Sequence, residues 1–325
     1  MLRRHFNSLA LAALAPSASQ PMHWADSSRL GRPYSKDPSV IRFRGRYLLY
    51  YSMPAAERNG APSDWAVGIA ESRNLTDWRK AAELLPSDGC EKRGLAAPCA
   101  KVIAGHVHLF YQTYGNGRAD AICHAVSGDG LRFTRDPSNP IFHPTGNWTA
   151  GRAIDADVVE FDGKYFLYAA TRDPAMKIQM LTGAVAEKSA GFGRNAWKQL
   201  ADAPLLKPEL PWEQDCIEAP SVVVRGGAMY MFYAGAYNNA PQQIGCARSR
   251  DGVRWDRLFA TPLLRCGLPG SWNSSESGHP GVFVDDDGRT YLFYQGNNDN
   301  GRTWYISCAR IEWRADEPAV LTGPA

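Results

Sequence analysis

Residues 219–233 read APSVVVRGGAMYMFY: a short strand, a glycine turn and a second strand rich in aromatic residues. The same pattern begins again at residues 37, 97, 155 and 279, which gives a period of about 60 residues. Self-similarity at a fixed period is typical of repeat architectures, in which each repeat is one supersecondary unit. The other copies are DPSVIRFRGRYLLYY (37–51), APCAKVIAGHVHLFY (97–111), DADVVEFDGKYFLY (155–168) and HPGVFVDDDGRTYLFY (279–294).

A second motif runs from a serine to an aromatic residue six positions later, at 72–78, 127–133 and 249–255. The third repeat carries the less regular GAVAEKSAGFGRNAW instead. These motifs indicate a third strand, a Gly/Asp turn and a fourth strand in each repeat. The sequence therefore predicts an all-β fold, a five-bladed β-propeller of four-stranded antiparallel blades, as one domain from about residue 24 to residue 325. The alternative, a β-sandwich, has no reason to repeat its turn chemistry five times.

The composition excludes several functional classes. A formal net charge of +3 over 325 residues, with no basic run interleaved with aromatic residues, argues against nucleic-acid binding. No apolar run reaches the roughly 20 residues needed to cross a bilayer. Seven cysteines are an odd number, and no CxxC or HExxH motif is present. These features disfavour a zinc enzyme or a redox enzyme.

The first 19 residues predict an export signal. Arg3 and Arg4 precede an apolar run at 8–15 and small residues up to Ser19, which is the order of a basic, an apolar and a cleavage region. The paired arginines indicate the twin-arginine route. We therefore expect a periplasmic or extracellular protein. The alternative interpretation of this segment is a disordered basic tail.

Acidic residues stand at matching positions of the repeat. The inner strand of every propeller blade lines the central channel, so the first residues of the five inner strands should ring one mouth. These positions hold Asp37, Asp155, His279 and two alanines, and Glu218 directly precedes one alanine. Crowding and burial raise carboxyl pKa values. They can keep one carboxyl group protonated as an acid and another ionised as a base, as glycosidic cleavage requires. Taken singly, Asp37 also fits an ordinary turn and Glu218 an exposed strand edge.

The loops between second and third strands should return to this same mouth. They are rich in Asn, Gly, Arg and Tyr, which bind sugar hydroxyls but are also common in solvated loops. A tryptophan stands six or seven residues before Asp155, Glu218 and His279, where it could stack on a sugar or pack the crossover between blades. The candidate substrate contacts are Arg172, Asp173, Trp212, His279, Asn297 and Arg302.

These residues resemble the motifs of the five-bladed propeller glycosidases, most closely glycoside hydrolase family 43 and its relatives. The resemblance covers nearly all of the chain after the export signal. It implies that Asp37 (in KDPSV) is the general base and Glu218 (in IEAP) the general acid. Asp155 would then modulate the pKa of the acid and orient the substrate. The second blade departs from the family pattern, because Ala96 stands where a tryptophan would form an aromatic wall.

We therefore expect an exported glycoside hydrolase that acts at chain ends, with inversion, on plant or algal poly- or oligosaccharides. The resemblance suggests arabinofuranosidase-, xylosidase- or galactosidase-like activity. This chemistry requires no cofactor and no catalytic metal. A structural calcium could lie near His279 in the channel. The expected partner is a carbohydrate, with no nucleic acid and no membrane span. The sugar, the linkage, the anomer and the oligomeric state stay open.

Two alternatives remain. The first is a retaining β-fructosidase-like enzyme, since fructan-cleaving relatives carry Arg-Asp-Pro and Glu-Cys boxes. Here Arg172-Asp173-Pro174 follows the second strand of its blade, and Cys216 precedes Glu218 rather than following it, which weakens that interpretation. The second alternative is a non-catalytic sugar-binding propeller.

Overall fold

The computed structural model describes residues 22–55 and 65–321. The predicted export signal at residues 1–19 lies outside the described residues, so it stays a prediction. The described chain forms five antiparallel sheets arranged as blades, which confirms the five-bladed β-propeller. Blades one to four have four strands each, and blade five has five.

The strands of blade one are Lys36–Phe43, Arg46–Met53, Ala66–Ser72 and Arg79–Leu84; of blade two, Leu95–Ile103, His106–Thr113, Ile122–Ser127 and Thr134–Arg135; of blade three, Ile154–Phe161, Lys164–Arg172, Gln179–Glu187 and Lys198–Gln199; of blade four, Ile217–Arg225, Ala228–Gly235, Gln243–Ser249 and Asp256–Arg257; of blade five, Glu276–Val284, Thr290–Asn297, Tyr305–Arg314, His23–Trp24 and Glu317–Leu321. Short 3-10 helices lie at Gly89–Glu91, Gly117–Ala119, Lys188–Ala190, Arg194–Ala196 and Pro211–Glu213.

The glycines of the repeat mark tight hairpins between the first and second strands. In blades one to four both central turn residues have positive φ, between 48° and 76°. This is the two-residue type I′ geometry, whose twist matches the flanking strands and which favours glycine at its second position. The four turns are Arg44–Gly45, Ala104–Gly105, Asp162–Gly163 and Gly226–Gly227.

The hydrophobic core lies between the blades rather than at the centre of the molecule. Five clusters of buried side chains each join two neighbouring blades. Phe110 and Tyr111 show how one strand serves two clusters, because successive side chains of a strand point to opposite faces. Phe110 packs against blade three and Tyr111 against blade one, and both are 0% exposed. The aromatic runs in the second strands follow from this two-sided burial.

Blade five closes the ring with strands from both ends of the described chain. His23 and Trp24 pair with Ser307 and Ile306 of its third strand. The strand Glu317–Leu321 pairs with the last five residues of that same strand, 310–314. The sequence pattern did not predict this closure. Within residues 22–55 and 65–321, no helix has the length and hydrophobicity of a membrane-spanning segment.

Candidate active site

The backbone bends in the same way at the start of every inner strand. The five predicted mouth residues all have φ between 45° and 55°, and strand pairing shifts register beside each of them. A bulge of this kind re-aims a side chain, and a left-handed φ is costly for residues other than glycine. Two of the five are alanines, so the repeat itself imposes the bend. The residues are Asp37, Ala97, Asp155, Ala219 and His279.

Side chains of the preceding blade hold three of these bends in place. In each case a polar side chain on a second strand accepts a hydrogen bond from the backbone N–H of the bent residue. The interaction couples each blade to the next one at the mouth of the channel. The bonds run from Asp37 to Gln295 Oε1 (3.0 Å), from Ala97 to Ser52 Oγ (2.7 Å) and from Asp155 to Gln112 Oε1 (2.7 Å).

The structure brings Asp37, Asp155, Glu218 and His279 together in one pocket. His279 Nε2 lies 3.3 Å from Asp37 Oδ1 and 3.5 Å from Asp155 Oδ1. Burial opposes a charge on this imidazole, but the neighbouring Asp37, Asp155 and Glu218 outweigh it and raise the pKa of His279 to about 9. His279 is therefore an imidazolium at neutral pH, and it links two carboxylates across the mouth.

Glu218 has a different environment. Its side chain is 6% exposed and accepts hydrogen bonds from two neutral amides, Gln179 Nε2 and Gln242 Nε2, the latter at 2.6 Å. Burial, followed by the negative charge of Asp155, raises the pKa of Glu218 to about 7, although His279 partly opposes this rise. Glu218 can therefore carry a proton near neutral pH.

Two further charged residues lie beside this group and were missed by the sequence analysis. Lys36 occupies the repeat position of Glu218 in blade one, with its Nζ 4.4 Å from the centre of the Trp304 ring. Glu276 is fully buried and accepts a hydrogen bond of 2.6 Å from Gln295. Burial raises the pKa of Glu276 to about 7 against the opposing charge of Lys36. Because Lys36 directly precedes Asp37, the sequence alone could have placed it at the mouth of the channel.

The pocket holds about 170 Å³ and combines charged with aromatic walls. Trp65 and Tyr114 form one wall, with ring centroids 5.8 Å apart. They supply an aromatic surface that the sequence analysis considered missing because of Ala96. The described residues that line the pocket are Lys36, Asp37, Trp65, Ala96, Gln112, Tyr114, Arg152, Ile154, Asp155, Arg172, Gln179, Glu218, Tyr237, Asn238 and His279.

Of the candidate substrate contacts, Arg172 and His279 line this pocket, and four do not. Asp173 folds its own loop by accepting hydrogen bonds from the backbone N–H groups of Lys177 and Ile178. Trp212 stacks on Tyr233 within the core between blades three and four, at a centroid distance of 5.9 Å. The remaining two lie in the blade-five loop.

Asn297 is fully buried and accepts hydrogen bonds from the backbone N–H groups of Asp299 and Gly301. Arg302 is exposed, and its carbonyl accepts a hydrogen bond from Arg32. These contacts hold the loop between the second and third strands of blade five. Among the described residues, no group of three His, Cys, Asp or Glu side chains is arranged to hold a metal ion. The structural calcium stays a prediction.

The chain is similar to a known protein family and to several solved structures. Residues 32–318 match Glycosyl hydrolases family 43. A thermostable family-43 glycoside hydrolase has a TM-score of 0.69 and 21% identity, over 88% of this chain and 92% of that chain. An α-L-arabinofuranosidase from Lactobacillus brevis has a TM-score of 0.66 and 20% identity, over 90% of this chain and 94% of that chain.

A GH32 β-fructofuranosidase from Bombyx mori has a TM-score of 0.69 and 15% identity, over 93% of this chain and 65% of that chain. No curated protein sequence matched the chain. At these identities the likeness to the solved structures establishes only the shared fold. The family match spans most of the chain, so it establishes the family. The chain therefore belongs to glycoside hydrolase family 43, and the protein is a glycosidase.

Proposed function

We propose that the protein is an exo-acting, inverting glycosidase in which Glu218 is the general acid and Asp37 the general base. The proton of Glu218 passes to the leaving oxygen as the glycosidic C–O bond breaks. The attacking water forms the new bond to the anomeric carbon and gives its proton to Asp37. Asp155, next to both Glu218 and His279, modulates the acid and orients the sugar.

The different surroundings of the two carboxyl groups carry this proposal. Glu218 is bound by neutral amides and has a pKa raised to about 7, which suits a group that must hold a proton at neutral pH. Asp37 lies 3.3 Å from cationic His279, an arrangement suited to a carboxylate that accepts a proton from water. Two carboxyl groups in one pocket are thus prepared for opposite roles.

The size of the pocket supports action at a chain end. Its volume of about 170 Å³ is below the roughly 300–1,000 Å³ of typical ligand pockets and matches one sugar ring rather than several. The aromatic side chains of Trp65 and Tyr114 offer a surface on which that ring can stack. We propose a terminal arabinofuranosyl, xylosyl or galactosyl residue of a plant or algal polysaccharide or oligosaccharide as the substrate.

The first test is hydrolysis of a panel of 4-nitrophenyl and 2,4-dinitrophenyl arabinofuranosides, xylosides, galactosides and fructosides, each also run with Glu218→Gln. Loss of an acid should strongly lower turnover of 4-nitrophenyl glycosides but spare much of the turnover of dinitrophenyl glycosides, whose leaving group needs little protonation. Equal losses on both series would contradict the role given to Glu218. The mechanism uses no cofactor, so any loss of activity in EDTA that Ca²⁺ restores would indicate the structural calcium.

The second test is the configuration of the product. Proton NMR during the first minutes of hydrolysis should show the anomer opposite to that of the substrate. A first product with the substrate's own configuration would overturn inversion and favour the retaining, β-fructosidase-like alternative.

A further inference from the structure

One side chain joins two arginines to the proposed acid. Gln179 begins the third strand of blade three and is fully buried. Its Oε1 accepts hydrogen bonds from Arg172 Nε at 2.8 Å and from Arg152 Nη1 at 3.3 Å. Its Nε2 donates to Glu218 Oε2. The amide is therefore held at both ends, by cations on one side and by a carboxyl group on the other.

We propose that Arg172, assisted by Arg152, locks the Gln179 amide so that it only donates to Glu218 and leaves the proton of the acid free for the substrate. Gln179 and Arg172 are then positioning residues, and the inference rests on the proposed acid role of Glu218.

The orientation of Gln179 matters because the two ends of an amide have different hydrogen-bonding roles. A primary amide can donate through its nitrogen or accept through its oxygen. If Gln179 turned its oxygen to Glu218, the protonated acid would donate to it, and the proton would be held in a hydrogen bond within the protein. Two guanidinium groups on Oε1 prevent this, because a turned amide would face both cations with its N–H groups.

Gln242 supports the same orientation from the other side of Glu218. Its Nε2 donates to Glu218 Oε1 at 2.6 Å and to the carbonyl of Ala236 at 3.1 Å. Its Oε1 has no hydrogen-bond partner among the described residues. A carbonyl thus keeps this amide turned with its nitrogen towards Glu218. Both amides donate to the acid, and neither accepts its proton.

Arg172 is free to act in this way, since its charge is not engaged by a carboxylate among the described residues. Its other contacts are the carbonyl of Met176 at 3.4 Å and the ring of Tyr237 at 5.3 Å. The titratable and charged groups around Glu218 also include Lys36, Asp37, Arg152, Asp155, Cys216, Tyr237, Glu276 and His279.

The test is a direct titration of Glu218 that needs no substrate. Protein with 13C-labelled glutamate carboxyl groups is titrated by NMR, and the Glu218 signal is assigned by its absence in Glu218→Gln. The wild-type midpoint is expected near pH 7. Gln179→Met removes a donor to the carboxylate and should raise the midpoint by about one unit. Arg172→Met should raise it too, whereas Arg172→Lys, which can still donate to Gln179, should leave it within about 0.3 units.

A double-mutant cycle separates this role from the plain charge of Arg172. If Arg172 acts through Gln179, Arg172→Met should shift the midpoint by less than about 0.3 units in the Gln179→Met background. A shift as large as in the wild-type background would overturn the proposal, and so would a Gln179→Met midpoint equal to that of the wild type. Thermal unfolding of each variant shows whether it is folded at the titration temperature.

Activity provides an independent check. On any glycoside cleaved by the wild type, Gln179→Met should move the alkaline limb of the pH profile upward. Arg172→Met, which leaves the amide free to turn and take the proton, should lower kcat with KM nearly unchanged. A rise in KM for Arg172→Met without a shift of that limb would identify Arg172 as a substrate contact instead. If no glycoside is cleaved, the proposed function fails, while the NMR titration still decides the hydrogen-bond arrangement.

Discussion

Glu213 and Glu218 lie five residues apart in the sequence and are both buried, but their pKa values are shifted in opposite directions. Glu213 receives two hydrogen bonds from Arg257, at 2.7 Å and 2.9 Å, and one from the hydroxyl of Tyr233 at 2.7 Å. Burial opposes its charge, but Arg257 and two backbone N–H groups outweigh burial and lower the pKa of Glu213. Glu218 has amide donors and a carboxylate neighbour, and its pKa rises to about 7. Burial is common to both, so the charge of the partner decides which acid keeps its proton.

The repeat distinguishes the two acids as well. Blade two contains the counterpart of the Glu213 cluster, in which Glu91 binds Arg135 and the hydroxyl of Tyr111. The position equivalent to Glu218 in blade two is Ala96, an apolar residue. An ion pair that recurs in the repeat serves the architecture, whereas an acid present in one copy serves the site.

The largest expected effect is on catalysis. Glu218→Gln removes the proton donor and should lower kcat for 4-nitrophenyl glycosides by about 10³-fold, the range associated with general acid catalysis. The substitution keeps the shape of the side chain, so the melting temperature at pH 7 should not fall. An unchanged kcat would show that the raised pKa of Glu218 has no catalytic purpose.

The next effect is on stability. Glu213→Gln leaves Arg257 partly buried without its carboxylate, and breaking such a pair should cost about 3 kcal/mol in the free energy of unfolding. Activity per folded molecule should change little, because Glu213 does not line the pocket. Denaturant unfolding at pH 7 measures the loss. A cost below about 1 kcal/mol would place this pair with ordinary surface ion pairs.

The two acids should also respond to pH with opposite sign. The pKa of Glu218 is raised from 4.5 to about 7, so between these values the native state binds more protons than the unfolded state and stability falls as pH rises. Relative to wild type, Glu218→Gln should therefore gain about 3 kcal/mol between pH 4.5 and pH 8. The lowered pKa of Glu213 gives a contribution that is present above pH 4.5 and is lost as pH falls through the folded pKa.

Unfolding free energies of both glutamine variants at pH 4, 5 and 8 test these signs. The deficit of Glu213→Gln should shrink towards low pH, while the advantage of Glu218→Gln should grow towards high pH. Parallel curves for the two variants would mean that their environments do not differ as described.

The sequence predicted the five blades and the convergence of the carboxyl groups because both follow from the repeat, but it did not predict the closure of blade five. Five copies of one hairpin set the blade number, and their matched positions place Asp37, Asp155 and His279 at one mouth. The amide partners of Glu218 could not be found in this way, since Gln179 begins the third strand of blade three and Gln242 directly precedes the third strand of blade four. The structural role of Glu213 could have been predicted from the sequence, because Glu91 occupies the same position of the repeat in blade two.

The smallest expected effect comes from a substitution that gives Glu218 a cationic partner like that of Glu213. Gln242→Lys would replace a neutral donor beside Glu218 with a cation, as Arg257 stands beside Glu213. An opposite charge at this range lowers a carboxyl pKa by about one unit or more, so the protonated fraction and kcat at pH 7 should fall about five- to tenfold. At pH 5 most of the activity should return.

Gln242→Met is the matched control, because it removes the same amide without adding charge. Losing a donor to the carboxylate should raise the pKa of Glu218, so the alkaline limb of the pH–activity profile should move upward in this variant and downward in Gln242→Lys. If both variants moved the limb in the same direction, the geometry of the amide rather than the charge of the partner would control the acid. The contrast between Glu213 and Glu218 would then need another cause.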